Sequence, residues 1–154
     1  MADSSKPNTK VLFRTVDVDG CIHVETPWAT SLGDDQYEID NSLWYAYGVS
    51  WKDVVYAPFD HGDECAVFQH VVKKGGHRTV RVAFSDPVSP GGKAERTLEG
   101  LVAMGCSYEG AWSKLFSVDV PSEVDLGRVR SFLIAESVDW ELADPDYSSL
   151  FPSA

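Results

Sequence analysis

The hydrophobic pattern of this chain changes style near residue 78. Before that point the apolar residues come in short runs separated by turn signals about 10–15 residues apart, with no helical period. Val11–Val16 predicts a strand, Asp17–Gly20 a turn, and Cys21–Thr26 a second extended segment that Pro27 interrupts. Trp28–Leu32 continues to a turn at Gly33–Asp35, and Gln36–Asp40 alternates polar with apolar, as a half-buried strand does. The segment Asn41–Ser50 is aromatic and irregular. Val54–Phe59 and Cys65–Val72 read as further strands around the polar loop Asp60–Glu64. Four or five strands of this kind predict a small antiparallel β-barrel or curled sheet.

After residue 78 two periods alternate. Thr79–Phe84 places Val80, Val82 and Phe84 on one face, and a Pro/Gly loop follows. Lys93–Met104 has Ala94, Leu98, Leu101 and Val102 at helical spacing, with Gly105 as a stop. Cys106–Tyr108 and Ala111–Val120 flank Glu109-Gly110, a candidate hairpin turn. Pro121-Ser122 predicts a helix start, with Ser122 as N-cap, Asp125 at the third helical position and an apolar stripe of Leu126, Val129, Phe132 and Leu133. Asp139–Ala143 predicts a last strand. The order βαββαβ specifies a ferredoxin-like sandwich, two helices on one face of a four-stranded sheet. The expected fold class is therefore α+β. Its divisions are an arm over 1–10, a β-rich part over 11–76, the ferredoxin-like part over 77–143 and a tail over 144–154.

Composition narrows the picture. With 44% hydrophobic residues in 154, the chain can bury a core. The net charge of −11 is spread over both halves: residues 1–78 carry 7 basic and 12 acidic side chains, residues 79–154 carry 6 and 12. Lys73-Lys74 is the densest basic spot, so recognition of nucleic acid through its phosphates is disfavoured, whereas a basic protein partner is electrostatically permitted. No apolar stretch approaches the ~20 residues of a membrane span, and the first ten residues lack a signal-like apolar core. Three widely spaced cysteines without a CxxC pair point to reduced thiols, and the expected location is cytoplasmic.

No nucleophile, phosphate or cofactor motif accompanies this frame, so no cofactor is expected. Asp60-His61-Gly62-Asp63-Glu64-Cys65, with His70 beyond it, has metal-ligand residue types, but its spacing is that of a hairpin loop and no metal site is expected. His23 and Glu25 share a strand face at a two-residue offset and could form an acid/base pair. Gly75-Gly76 feeds a strand rather than a helix, so it reads as a linker and not as a phosphate loop. Arg81 falls on the sheet face opposite the helices, where it either pairs with a carboxylate or recognises an anion. Trp44, Tyr45, Tyr47 and Trp51 can fill a small barrel or form a recognition surface.

The order Glu25-x-x-Trp28, Tyr37-x-Ile39-Asp40-Asn41, Tyr45-x-Tyr47-Gly48-Val49-Ser50-x-x-Asp53-Val54-Val55 and Gly76-His77-x-Thr79-Val80-Arg81 resembles an uncharacterised bacterial domain-of-unknown-function family of about this length, over about residues 11–143. The chain departs from it where Ser42-Leu43 stands in place of the family's proline after Asp-Asn. The resemblance implies a bacterial origin and carries no activity. It directs attention to Glu25 and His77 as candidate acid/base residues and to Trp28, Asp40, Asn41, Asp53 and Arg81 as candidate binding residues. Two functions follow as expectations. One is an acidic protein-binding module, of the inhibitor or immunity type, that caps a basic toxin or nuclease. The other is a small enzyme or ligand-binding protein acting on an anionic metabolite in the groove between the halves.

Overall fold

Alternation in the first apolar run decides its orientation: Val11 and Phe13 are fully buried while their neighbours reach solvent. The structure, a computed structural model, describes residues 8–145. This first strand, β1 (Thr9–Val16), changes partner along its length. Thr9 and Lys10 pair with β3 (Trp28–Gly33), Val11 and Leu12 pair with β7 (Cys65–Val67), and Phe13 to Val16 pair with β2 (Ile22–Glu25). Three partners on one strand force the sheet to curl. With β4 (Gln36–Ile39), β5 (Val54–Tyr56), β6 (Phe59–Asp60) and β8 (His70–Lys73), the sheet runs β6-β7-β1-β3-β4-β5-β8, with β2 beside β1. Its concave side buries Val11, Phe13, Ile39, Leu43, Val49 and Val55.

The second half contains β9 (Arg78–Ala83), α1 (Lys93–Ala103), β10 (Ser107–Trp112), β11 (Leu115–Val120), α2 (Leu126–Glu136) and β12 (Asp139–Asp144). Its sheet runs β10-β11-β9-β12, antiparallel throughout. Val80, Val82, Val118 and Val120 pack under Leu98 and Leu101 of α1 and Val129 and Leu133 of α2. The helices meet where Gly100 leaves room for the Phe132 ring. Among the described residues the molecule is thus α+β, mostly strand with two helices, as the patterning implied.

Several details differ from expectation. The first half holds eight strands among the described residues, because elements of two to four residues are too short to show alternation. Its sheet is not wholly antiparallel: β7 lies parallel to β1, allowed by the long connection between them. The expected strand over 65–72 is interrupted into β7 and β8. Glu109 and Gly110 lie inside β10, beside a bulge, and the hairpin turns at Ser113-Lys114. Helix α2 starts three residues later than Ser122 implied, because the Asp125 side chain accepts the Gly127 N–H at 2.8 Å and caps it. Strand β1 begins within the expected arm and β12 includes Asp144. Residues 1–7 of that arm and 146–154 of the expected tail lie outside the described residues. No described helix is long and apolar enough to cross a membrane.

The sheet face away from the helices is polar, and the register arranges it in two rows. Glu109, Ser117, Arg81 and Glu141 stand side by side across the four strands, and Ser107, Asp119, Thr79 and Asp144 form the next row. Ser117, Arg81, Asp119, Thr79 and Asp144 are nonetheless buried. The irregular segment 41–53 of the first half covers them.

Candidate functional site

The covering segment is held from two sides by charges of opposite sign. Glu25 ends β2, and its carboxylate accepts the backbone N–H groups of Trp44, Tyr45 and Ala46 at 2.8, 2.9 and 2.9 Å. Three converging N–H groups make an anion-binding concavity, here filled by the chain's own carboxylate. Arg81, on β9, faces the carbonyls of the same turn. Its Nε donates to Leu43 O at 3.2 Å, one Nη donates to Ala46 O, and the other donates to Glu141 Oε1 at 3.0 Å. Ser117 Oγ also donates to Leu43 O, at 2.8 Å. The guanidinium lies 4.9 Å from the Tyr47 ring centre, and the Tyr47 hydroxyl donates to Glu141 at 2.7 Å. Burial, then Glu141, pushes the Tyr47 phenol above its ordinary range.

A second knot ties the segment's far end. Asp53, fully buried, accepts the N–H groups of Ser50 and Gly75 at 2.8 and 2.7 Å and pairs with Lys74. The Lys74 ammonium also reaches Asp144 at 2.6 Å and Gly48 O at 3.0 Å. Ser50 Oγ bridges Asp144 and Thr79. Two buried carboxylates sharing one ammonium need this many donors, because an unpaired buried charge is costly. Gly75 is therefore packed rather than a free linker residue. A Cβ there would overlap the Lys52 carbonyl.

His77 lies beside these knots. Its Nδ1 is 2.9 and 3.0 Å from the two carboxylate oxygens of Asp119, and its ring packs edge-to-face with Trp51, the ring centres 5.0 Å apart. A carboxylate only accepts, so Nδ1 carries the proton and Nε2 is the ring's basic nitrogen. Burial raises the Asp119 carboxyl, outweighing the pull of His77. Glu109 is likewise raised, first by burial and also by Asp40 and Asp119. Asp40 accepts the Trp51 indole N–H at 3.0 Å. Asn41 Oδ1 accepts the Trp28 N–H at 2.6 Å.

A groove of about 440 Å³ opens next to the first knot, between Val24–Trp28, Asn41–Tyr45 and Gly110-Ala111 of β10. The Lys10 ammonium sits 4.6 Å from the half-exposed Trp28 ring. The Trp44 indole nitrogen, in a ring lining this groove, is buried and has no hydrogen-bond partner.

Glu25, Asp53, His77 and Arg81 fall at this junction, but not as one pocket. Glu25 and Arg81 act on opposite edges of one backbone turn, while His77, Asp40 and Asn41 lie toward Asp119. His23 does not pair with Glu25; it contacts Asp17 at 2.9 Å and stacks on Tyr45. Asp119, Ser117, Glu141 and Lys74 were missed. Ser117 and Asp119 carried a signal, since they are the two polar positions in the otherwise apolar Leu115–Val120. Among the described residues, no three metal-ligating side chains gather.

The two-sheet α+β fold is seen elsewhere. A hypothetical protein from Neisseria gonorrhoeae, described as a novel crystal structure, superposes with a TM-score of 0.76, covering 91% of this chain and 96% of that one at 17% identity. The chain belongs to the family described as a domain of unknown function (DUF4265), whose profile matches residues 25–141. No curated protein matches it.

Proposed function

We propose that this is an acidic protein-binding module of the bacterial cytoplasm, of the inhibitor or immunity type, whose partner presents a basic surface. One observation carries the reading. Glu25 and Arg81, polar residues a catalyst would use, are held by the fold's own backbone, while the β1–β2 hairpin leaves an apolar strip uncovered: Val16 and Ile22, a cross-strand pair, are each 64% exposed, and Val24 is 52% exposed. Exposed apolar patches of this kind mark interaction surfaces, and the net charge of −11 selects a basic partner. The three free cysteines, one of them exposed, fit a reducing compartment. The helix-backed half reads as ferredoxin-like, a frame that its element order and its β10-β11-β9-β12 sheet support. The test is capture from bacterial lysate with wild-type and Ile22→Asp baits. A stoichiometric basic protein lost on the variant supports the proposal, and no retained protein refutes it.

The His77–Asp119 pair favours a second reading, a small enzyme acting on an anionic metabolite with His77 as acid or base. A thermal-shift screen of anionic metabolites on wild type and His77→Gln decides it. A stabilising hit that the variant loses supports the enzyme, and an empty screen removes it.

A further inference from the structure

We propose that the groove lined by Trp28, Trp44 and Tyr45 receives a lysine or arginine side chain from an extended segment of the partner, laid along the free edge of β2. This rests on the protein-binding reading and names the surface and the chemistry. Three features of the groove agree. Its wall is aromatic and holds no Lys or Arg, which is the composition that attracts an alkylammonium or guanidinium. Trp28 already takes such a group: the Lys10 ammonium over its ring is an intramolecular stand-in. Finally, among the described residues β2 pairs with β1 alone, so its other edge keeps unpaired N–H and C=O groups of the kind that strand addition uses.

The neighbourhood sets the segment's character. Beyond the groove, Val24 continues to Ile22 and Val16, so side chains on one face of an added strand meet apolar surface. Residues 8–45 carry 7 Asp and Glu against two cations, Lys10 and Arg14, and Arg14 is paired with Asp63. The occupant is therefore an extended stretch alternating basic and apolar residues, and its association weakens with salt.

The probe is the capped hexapeptide acetyl-Lys-Val-Lys-Val-Lys-Val-amide, titrated into the full chain, with the corresponding Glu-Val peptide and choline as controls. The readout is the indole N–H resonances of Trp28 and Trp44. The expected result is a saturable shift of both, with Kd of about 1 mM or tighter. Binding should weaken about tenfold in Trp28→Ala and strengthen in Lys10→Met, which removes the competing ammonium. Unmoved resonances, an equal response to the Glu-Val peptide or to choline, or unchanged affinity in both variants would each overturn the assignment. Lysate capture separates this from the broader reading. A partner held equally by wild type and Trp28→Ala refutes the groove alone, whereas no partner on either bait refutes protein binding itself.

Discussion

Replacing Arg81 by methionine separates a structural guanidinium from an anion receptor. Methionine keeps most of the unbranched stem, so little cavity forms and the loss is that of polar contacts. Ala46 O loses the Arg81 donor and stays buried, which costs about 1–3 kcal/mol. Leu43 O is less affected because Ser117 Oγ still donates to it. Glu141 is exposed enough to return to water, so that ion pair contributes at most about 1 kcal/mol. Loss of the contact with the Tyr47 ring adds roughly 0.5–1 kcal/mol. Relief from desolvating the guanidinium opposes these terms, but it dominates only where both partners of a buried pair are replaced, and here the carbonyls remain. The expected destabilisation is about 3 kcal/mol. That is a large share of the 5–15 kcal/mol typical of a domain, and a fall in Tm of roughly 6–12 °C. Urea unfolding followed by tryptophan fluorescence measures it as a lower midpoint at constant slope. A midpoint within about 0.5 kcal/mol of wild type would refute the argument, since Arg81 would then be dispensable to the fold and free to serve a ligand.

Gly75→Ala should destabilise by about 2 kcal/mol or more, read from thermal melts, because the new methyl overlaps the backbone carbonyl of Lys52, which cannot swing aside. Glu109→Gln should leave stability unchanged below the ordinary carboxyl value of 4.5 and raise it near neutrality. The folded chain holds that proton to higher pH than the unfolded chain, so wild-type stability falls as pH rises through the window above 4.5, and glutamine has no such fall. Denaturation midpoints at acidic and neutral pH that move in parallel would contradict it. Among the cysteines, exposed Cys21 should react quickly with a thiol reagent in the native protein, while Cys106 should react only on unfolding. Burial removes Cys106 from solvent and pushes its thiol up to about 11. Mass spectrometry of the labelled chain checks both.

The helical half was legible because its elements are long enough for a period to repeat. Lys93–Ala103 matched its apolar spacing to within a residue, whereas Asp125 took the cap assigned to Ser122 because either residue can serve there. The first half was harder to read. Phe59–Asp60 and Cys65–Val67 are too short to alternate visibly, and nothing local tells Cys65–Val67 to run parallel to a strand some 50 residues earlier. Glu25 and Arg81 stood out as polar residues that turn chemistry did not explain, whereas Asp53 read equally well as a turn former. Their partners are backbone groups of Leu43–Ala46, Ser50 and Gly75, which carry no residue identity and leave no trace in a sequence. Asp119 was hidden for another reason: its partner His77 is 42 positions away.

The doubly gripped turn at Leu43–Ala46 bears on how the chain reaches its native state. Its N–H groups wait for Glu25, about 20 positions back, and its carbonyls wait for Arg81, 35 to 38 positions ahead. Ser50 waits for Asp144, 94 positions away. A chain emerging from the ribosome therefore cannot complete its first sheet's lining until the last strand exists. Such non-local closure places folding toward the slow, millisecond-to-second end for domains of this size. Fragments divided at Gly75-Gly76 would each expose a face that only the other half neutralises, so cooperative unfolding of both sheets together is the behaviour this junction imposes.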